Sequence, residues 1–211
     1  DLVSFLKKIK VRGVVVPYVF PHGIARELAR SLGVKISGKL IYPERFRKTP
    51  AEVREMEKAQ RAAEAGLLRA RDILQKSKIR GQKIYFRGNI VTSEMLRRVV
   101  DEELFRRGQL GIDTIVSSGI QAADPHCIGQ GPIIPYSSIV FDIFPVSRGS
   151  HYFADMTRTL FKGEPDEKLK KMYQAVLSTQ EKSITMFKAG ADGRKIAEFA
   201  RNNLAAWGFP T

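Results

Sequence analysis

"FDIFPVSRGSHYFADMTRT" occupies residues 141–159. Two stretches of β-strand composition flank a Ser-Arg-Gly-Ser turn, Ser147–Ser150, and each carries one aspartate among apolar neighbours. With a period of two, Val140, Asp142 and Phe144 share one face of the first strand, and Asp155, Thr157 and Thr159 share one face of the second. An antiparallel hairpin therefore sets Asp142 and Asp155 on neighbouring strands, pointing the same way. On a buried face two ionised carboxylates repel each other and lose hydration, a cost of several kcal/mol unless it is offset. A divalent cation offsets both at once; carboxylate oxygens suit Mg²⁺, Mn²⁺ or Ca²⁺, and Zn²⁺ or Co²⁺ where imidazole joins them. The alternative is that each aspartate pairs with an arginine such as Arg148 or Arg158. Arg158 lies on the face opposite Asp155, which weakens that pairing. Spacing alone leaves both readings open.

Working outward, "DTIVSSG" (113–119) reads as a strand that stops at Gly119. Before it, an amphipathic helix is expected from Thr92 to Arg107, led by a short strand near "KIYFRG". Thr49-Pro50 followed by Glu52 gives a cap, a proline at the first helical position and an acidic first turn. The helix opened there runs to about Ser77, with Val53, Met56, Ala59, Ala63, Leu67, Ala70 and Ile73/Leu74 on one stripe. Further upstream, residues 11–20 read as a buried strand and 23–33 as a short helix, followed by an irregular stretch to Pro50 that is crossed by Pro43. After the hairpin, helices are expected over Pro165–Lys188 and Asp192–Trp207. The class is α+β, with helices packed on an antiparallel sheet.

The composition is that of a globular protein: 211 residues, 43% hydrophobic and 27% charged, with no stretch of 18 apolar residues. A membrane span is therefore not expected. The lone Cys127 cannot form an internal disulfide, which favours a reducing cytoplasm. Its neighbour His126 does not make it a nucleophile–base pair, because adjacent residues on extended backbone point apart. The net charge of +14 is uneven: residues 1–100 hold 23 Lys/Arg against 9 Asp/Glu, while residues 101–211 hold 13 of each. The basic residues stand singly along amphipathic helices, without the interleaved aromatics that single-strand binding uses, which argues against a nucleic-acid partner. His151, at the turn, reads as a surface residue.

At the paired aspartates a family resemblance enters. "FDIFP…YFADMTRTLFKGEP" resembles the first metal-ligand hairpin of the pita-bread metallopeptidases, the family of prolidases, Xaa-Pro aminopeptidases, methionine aminopeptidases and creatinases. "SSGIQAADPHCIG" (117–129) is similar to the family's Ser-Gly segment, which ends in a substrate-binding histidine. The string Asp155–Thr159 and the helix beginning "PAEVREMEKAQ" resemble the Xaa-Pro branch. The resemblance implies the first half of a pita-bread (creatinase/aminopeptidase-like) catalytic domain over residues 44–211. Residues 1–43 would then be the tail of a smaller N-terminal domain.

It also implies a chemistry: two divalent ions, Mn²⁺, Co²⁺ or Zn²⁺, sharing a hydroxide that attacks the scissile carbonyl of a proline-containing peptide. By resemblance Asp142 chelates one metal, Asp155 bridges both, and His126 donates to a substrate oxygen. Thr157 supports the ligands from the second strand. The aspartates are thirteen positions apart, two more than in many members, so a longer turn is expected. The family's further histidine and two glutamates, including a His-Glu-x-Pro string, are expected in a continuation past Thr211, and the 211 residues alone are expected to be inactive. The family commonly dimerises through its N-terminal domain, which makes a homodimer the expected assembly. A non-catalytic pita-bread module binding protein or nucleic acid is the alternative function. It is opposed by the retention of Asp142, Asp155 and His126.

Overall fold

The computed structural model describes residues 2–39 and 42–210. Asp1, Thr211 and the Leu40-Ile41 pair within the stretch read as irregular lie outside the described residues. The chain divides into two compact units, one ending at Val53 and the other starting at Arg54.

The first unit contains α1 (Leu2–Lys8), β1 (Gly13–Pro17), α2 (His22–Ala29), β2 (Gly33–Ser37) and a 3-10 turn over Pro43–Phe46. β1 and β2 pair in parallel, with Gly13 opposite Gly33 and Pro17 opposite Ser37. Two expectations are corrected here. "GVKIS" is a strand rather than irregular chain; its alternation is too short to read alone, and a partner twenty residues upstream makes it one. β1 is not a buried strand either: Val16 is buried but Val15 is half exposed.

α3 (Pro50–Lys76) opens on a reciprocal capping box, in which Thr49 N donates to Glu52 Oε2 at 2.7 Å and Glu52 N to Thr49 Oγ1 at 3.4 Å. Its buried side is small: Ala59, Ala62, Ala63, Gly66 and Ala70 precede Ile73 and Leu74. Gly66 matters because a Cβ there would stand 3.0 Å from Val100 Cγ1 of α4 (Ser93–Arg106), so the two helices approach closely at that point. Between them β3 (Lys78–Arg80), β4 (Lys83–Phe86) and β5 (Asn89–Ile90) form an antiparallel meander. Thr92 caps α4 by accepting from Met95 N at 3.2 Å.

Five strands in two sheets follow: β6 (Gln109–Gly111) pairs with β9 (Pro145–Ser147), and β7 (Ile115–Ser118), β8 (Ser138–Ile143) and β10 (Met156–Phe161) form the second sheet. β8 is central, antiparallel to β7 on one side and to β10 on the other. β9 prolongs β8 and pairs with β6 as β8 pairs with β7, but one residue out of step: Gly111 faces Pro145, whereas Ile115 faces Asp142. The slip is taken up at Ile112–Thr114, where the chain bends and Asp113 has φ 53°. Ile139, Phe141 and Ile143 point from β8 into the core, where they join Leu74 of α3, Val100 and Leu104 of α4, and Met156 of β10. The chain ends in α5 (Glu167–Met186) and α6 (Gly193–Ala206), capped by Asp166 and Asp192. They are joined by Asn203 Nδ2 donating to Thr179 Oγ1 at 2.7 Å. No described helix is long and apolar enough to cross a membrane.

Candidate active site

The hairpin keeps one register from end to end. Asp142 faces Thr157 and Ile143 faces Met156. Beyond the start of β10, Phe153 still bridges Val146, Ala154 N donates to Pro145 O at 3.2 Å, and Ser147 N donates to Tyr152 O at 2.9 Å. The turn is therefore Arg148–His151, closed with His151 at φ 59°, and His151 is exposed as expected. On this register Asp155 stands opposite Phe144, on the same face as Asp142 and diagonal to it. Diagonal same-face neighbours on paired strands lie about 7–8 Å apart.

Thr157 Oγ1 donates to Asp142 Oδ1 at 2.6 Å, a charge-assisted bond that fixes one oxygen of that carboxylate. The arginine alternative does not form. Arg158 Nη1 donates to the Thr157 carbonyl at 2.7 Å, and the Arg148 guanidinium lies 5.4 Å over the Phe105 ring. Neither aspartate has an ion pair among the described residues. The assumption of a buried carboxylate face is corrected as well: Asp142 is half-buried, and Asp155 and Thr157 are exposed. The physical reason is that α3 and α4 cover the other side of the sheet, the side taken by Phe141 and Ile143. The two carboxylates are hard oxygen donors on one face and fit part of a divalent-cation ligand set. They are not a whole one, since no group of three or more candidate ligands gathers among the described residues.

His126 stands on a loop rather than on a strand. After β7 a 3-10 turn, Gly119–Ala123, throws the chain outward, and it returns along the edge of β7 that faces away from β8. There Val116 N donates to Ile128 O at 3.0 Å. Gly129, at φ 87°, lies so close that any Cβ would overlap the Val116 carbonyl. The loop is held by side chains that sequence reading passed over. Arg97 Nη1 of α4 donates to Ile128 O at 2.9 Å and Gly129 O at 3.0 Å. Gln121 donates to Gln130 O at 3.1 Å and accepts from Gln130 N at 2.9 Å. Glu94 Oε1 accepts from Gly131 N at 2.9 Å, and that bond is the main reason its carboxyl titrates below the usual glutamate range. A step along the same helix, Asp101 Oδ1 accepts from Thr114 Oγ1 at 2.7 Å, while burial pushes its carboxyl upward. Only the spacing of Glu94, Arg97 and Asp101 along one helix side hinted at this set, and such a trio is ordinary on a solvated face.

The chain and its fold match known proteins. The model of metallopeptidase family M24 matches residues 54–210, which takes in every element from the body of α3 to α6. The chain belongs to metallopeptidase family M24. Along nearly its whole length, 98%, it is 27% identical to the Xaa-Pro dipeptidase of Pyrococcus horikoshii, covering 56% of that protein. The solved prolidase structure from the same organism superposes with a TM-score of 0.81 at 25% identity, over 99% of this chain and 58% of that one. The X-Pro aminopeptidase of Thermotoga maritima shares the fold at 21% identity with a TM-score of 0.77, over 98% and 56% of the two chains. The architecture is thus the pita-bread prolidase fold, and this family member spans a little over half the length of the relatives it matches.

Proposed function

We propose that this M24 chain is part of a divalent-metal-dependent peptidase that hydrolyses Xaa-Pro bonds, as a dipeptidase or an aminopeptidase. The observation that carries the reading is the shared face of Asp142 and Asp155 on the central hairpin, with Thr157 bonded to Asp142. The activities of the similar Xaa-Pro dipeptidase and prolidase support it over a non-catalytic binding module. In this reading Asp142 and Asp155 would hold two ions, Mn²⁺, Co²⁺ or Zn²⁺, as part of a larger ligand set. Bound ions of this kind supply Lewis acidity and a lowered pKa for water. Thr157 keeps the Asp142 carboxylate turned to its task by occupying one oxygen. His126 donates a hydrogen bond to the substrate oxygen on which charge develops. Residues 1–43 form the tail of a smaller N-terminal domain and 44–211 the first part of the catalytic domain. A cytoplasmic homodimer acting on proline-containing peptides completes the proposal.

The test is metal analysis and Xaa-Pro dipeptide hydrolysis with the full-length protein and its Asp155→Asn variant. A bridging role needs two anionic oxygens, whereas an amide offers one neutral acceptor. The variant is expected to lose both metals and essentially all activity. Full metal occupancy in Asp155→Asn overturns the assignment.

A further inference from the structure

The segment Asp124–Gln130 has no buried side chain; within it only Gly129 is buried. Apolar packing therefore does little to fix where it sits. Its position depends on hydrogen bonds, and these are unusually complete for an exposed loop. His126 N donates to Asp124 Oδ1 at 2.9 Å and Cys127 N to Asp124 O at 3.1 Å. Ile128 O accepts from both Val116 N and Arg97, Gly129 O accepts from Arg97, and both backbone groups of Gln130 meet the Gln121 amide. Arg97 stands between Glu94 and Asp101 on α4, yet its guanidinium makes no ion pair with either among the described residues. It is committed instead to two carbonyls about thirty residues on in sequence.

We propose that Arg97 and Gln121 are positioning residues for His126: they clamp the backbone at 128–130 and so set where the imidazole stands relative to the Asp142–Asp155 face. Arg97 fits the role because one guanidinium nitrogen carries two hydrogens and serves both carbonyls, a geometry an ammonium on a flexible stem reproduces only in part. Gln121 fits because its amide both donates and accepts, and so grips Gln130 from both sides. Among the described residues neither side chain hydrogen-bonds Asp142 or Asp155, and their effect on turnover passes through His126. The inference rests on the donor role proposed above for His126.

The test is a double-variant cycle in the full-length, metal-loaded protein, reading kcat and KM for an Xaa-Pro dipeptide together with Tm. Arg97→Ala is expected to lower kcat by about 10- to 100-fold, the scale of a misplaced reacting group, with KM moved by less than about 3-fold. Arg97→Lys is expected to recover part of that loss. In a His126→Ala background, Arg97→Ala is expected to lower kcat by no more than about 2-fold further, because the group it positions is gone. Should Arg97→Ala fail to fold, Gln121→Leu enters the same cycle with the same expectation. Losses that multiply in the double variant, or a fall in Tm with kcat unchanged, overturn the positioning role and leave the His126 reading intact. A His126→Ala variant with unchanged kcat overturns the donor role itself, and the inference with it.

Discussion

The hairpin and the histidine loop present their candidate site residues in opposite ways. The hairpin places Asp142, Asp155 and Thr157 by strand alternation and one unbroken register, anchored by Phe141 and Ile143 on the far side of the same strand. The loop places His126 on irregular backbone, anchored by Arg97, Gln121 and Glu94 from other elements. A strand address tolerates loss of a neighbour because the ladder remains. A loop address depends on each clamp. The two regions should therefore fail differently when altered.

The largest effect expected beyond that of Asp155→Asn comes from the loop's own side chain. His126→Ala should keep its metal, measured by elemental analysis, while kcat falls about 10²- to 10³-fold, as when one donor to a charged transition state is removed. Metal loss in this variant would make His126 a ligand. Gly129→Ala comes next. Its Cβ would overlap the Val116 carbonyl while the backbone sits at φ 87°, so the loop has to leave the β7 edge. A destabilisation of about 3 kcal/mol is expected by denaturant titration, with kcat reduced alongside. An unchanged midpoint would mean that the loop is not seated there.

On the hairpin side, Thr157→Val keeps the strand's shape and removes the hydroxyl bonded to Asp142. Metal affinity should fall about 10- to 100-fold with Tm within a few degrees, the pattern of a lost ligand support rather than a lost fold. If affinity is unchanged, the bond is incidental. The smallest effect concerns acid stability. The Glu94 carboxyl is held below its ordinary value near 4.5, first by the Gly131 amide. The folded state thus binds fewer protons there than the unfolded one, so this contribution is fully present above that value and fades as pH falls through the depressed pKa. The Tm difference between the parent and Glu94→Gln should be constant from neutral pH down to about pH 5 and shrink below it. A difference that grows on acidification would reverse the sign and remove Glu94 from the account.

Much of this was legible beforehand. Alternation put Asp142, Asp155 and Thr157 on one face, and the register agrees. The cap at Thr49–Glu52 and the stripe of α3 were visible as local chemistry, although Val53 and Met56, at its start, turn out exposed. What was not legible depended on partners distant in sequence. β2 becomes a strand only beside β1, and the bend at Asp113 shows only where β6 and β7 pair with different strands, one residue out of step. The apolar residues next to the aspartates suggest a buried face, but Phe141, Ile143 and Met156 point to the other side, into the core.

The sequence by itself determined which residues share a face, where helices open, and the family to which the hairpin string belongs. Each of these is written in spacing of two to four residues, the range over which backbone geometry and capping act. Tertiary structure alone decided which face the helices cover, where the edge strand slips, and that Arg97 and Gln121 hold the loop of His126. A hydrogen bond from α4 to a carbonyl some thirty positions later leaves no periodic trace, because nothing local forces that carbonyl to turn toward it.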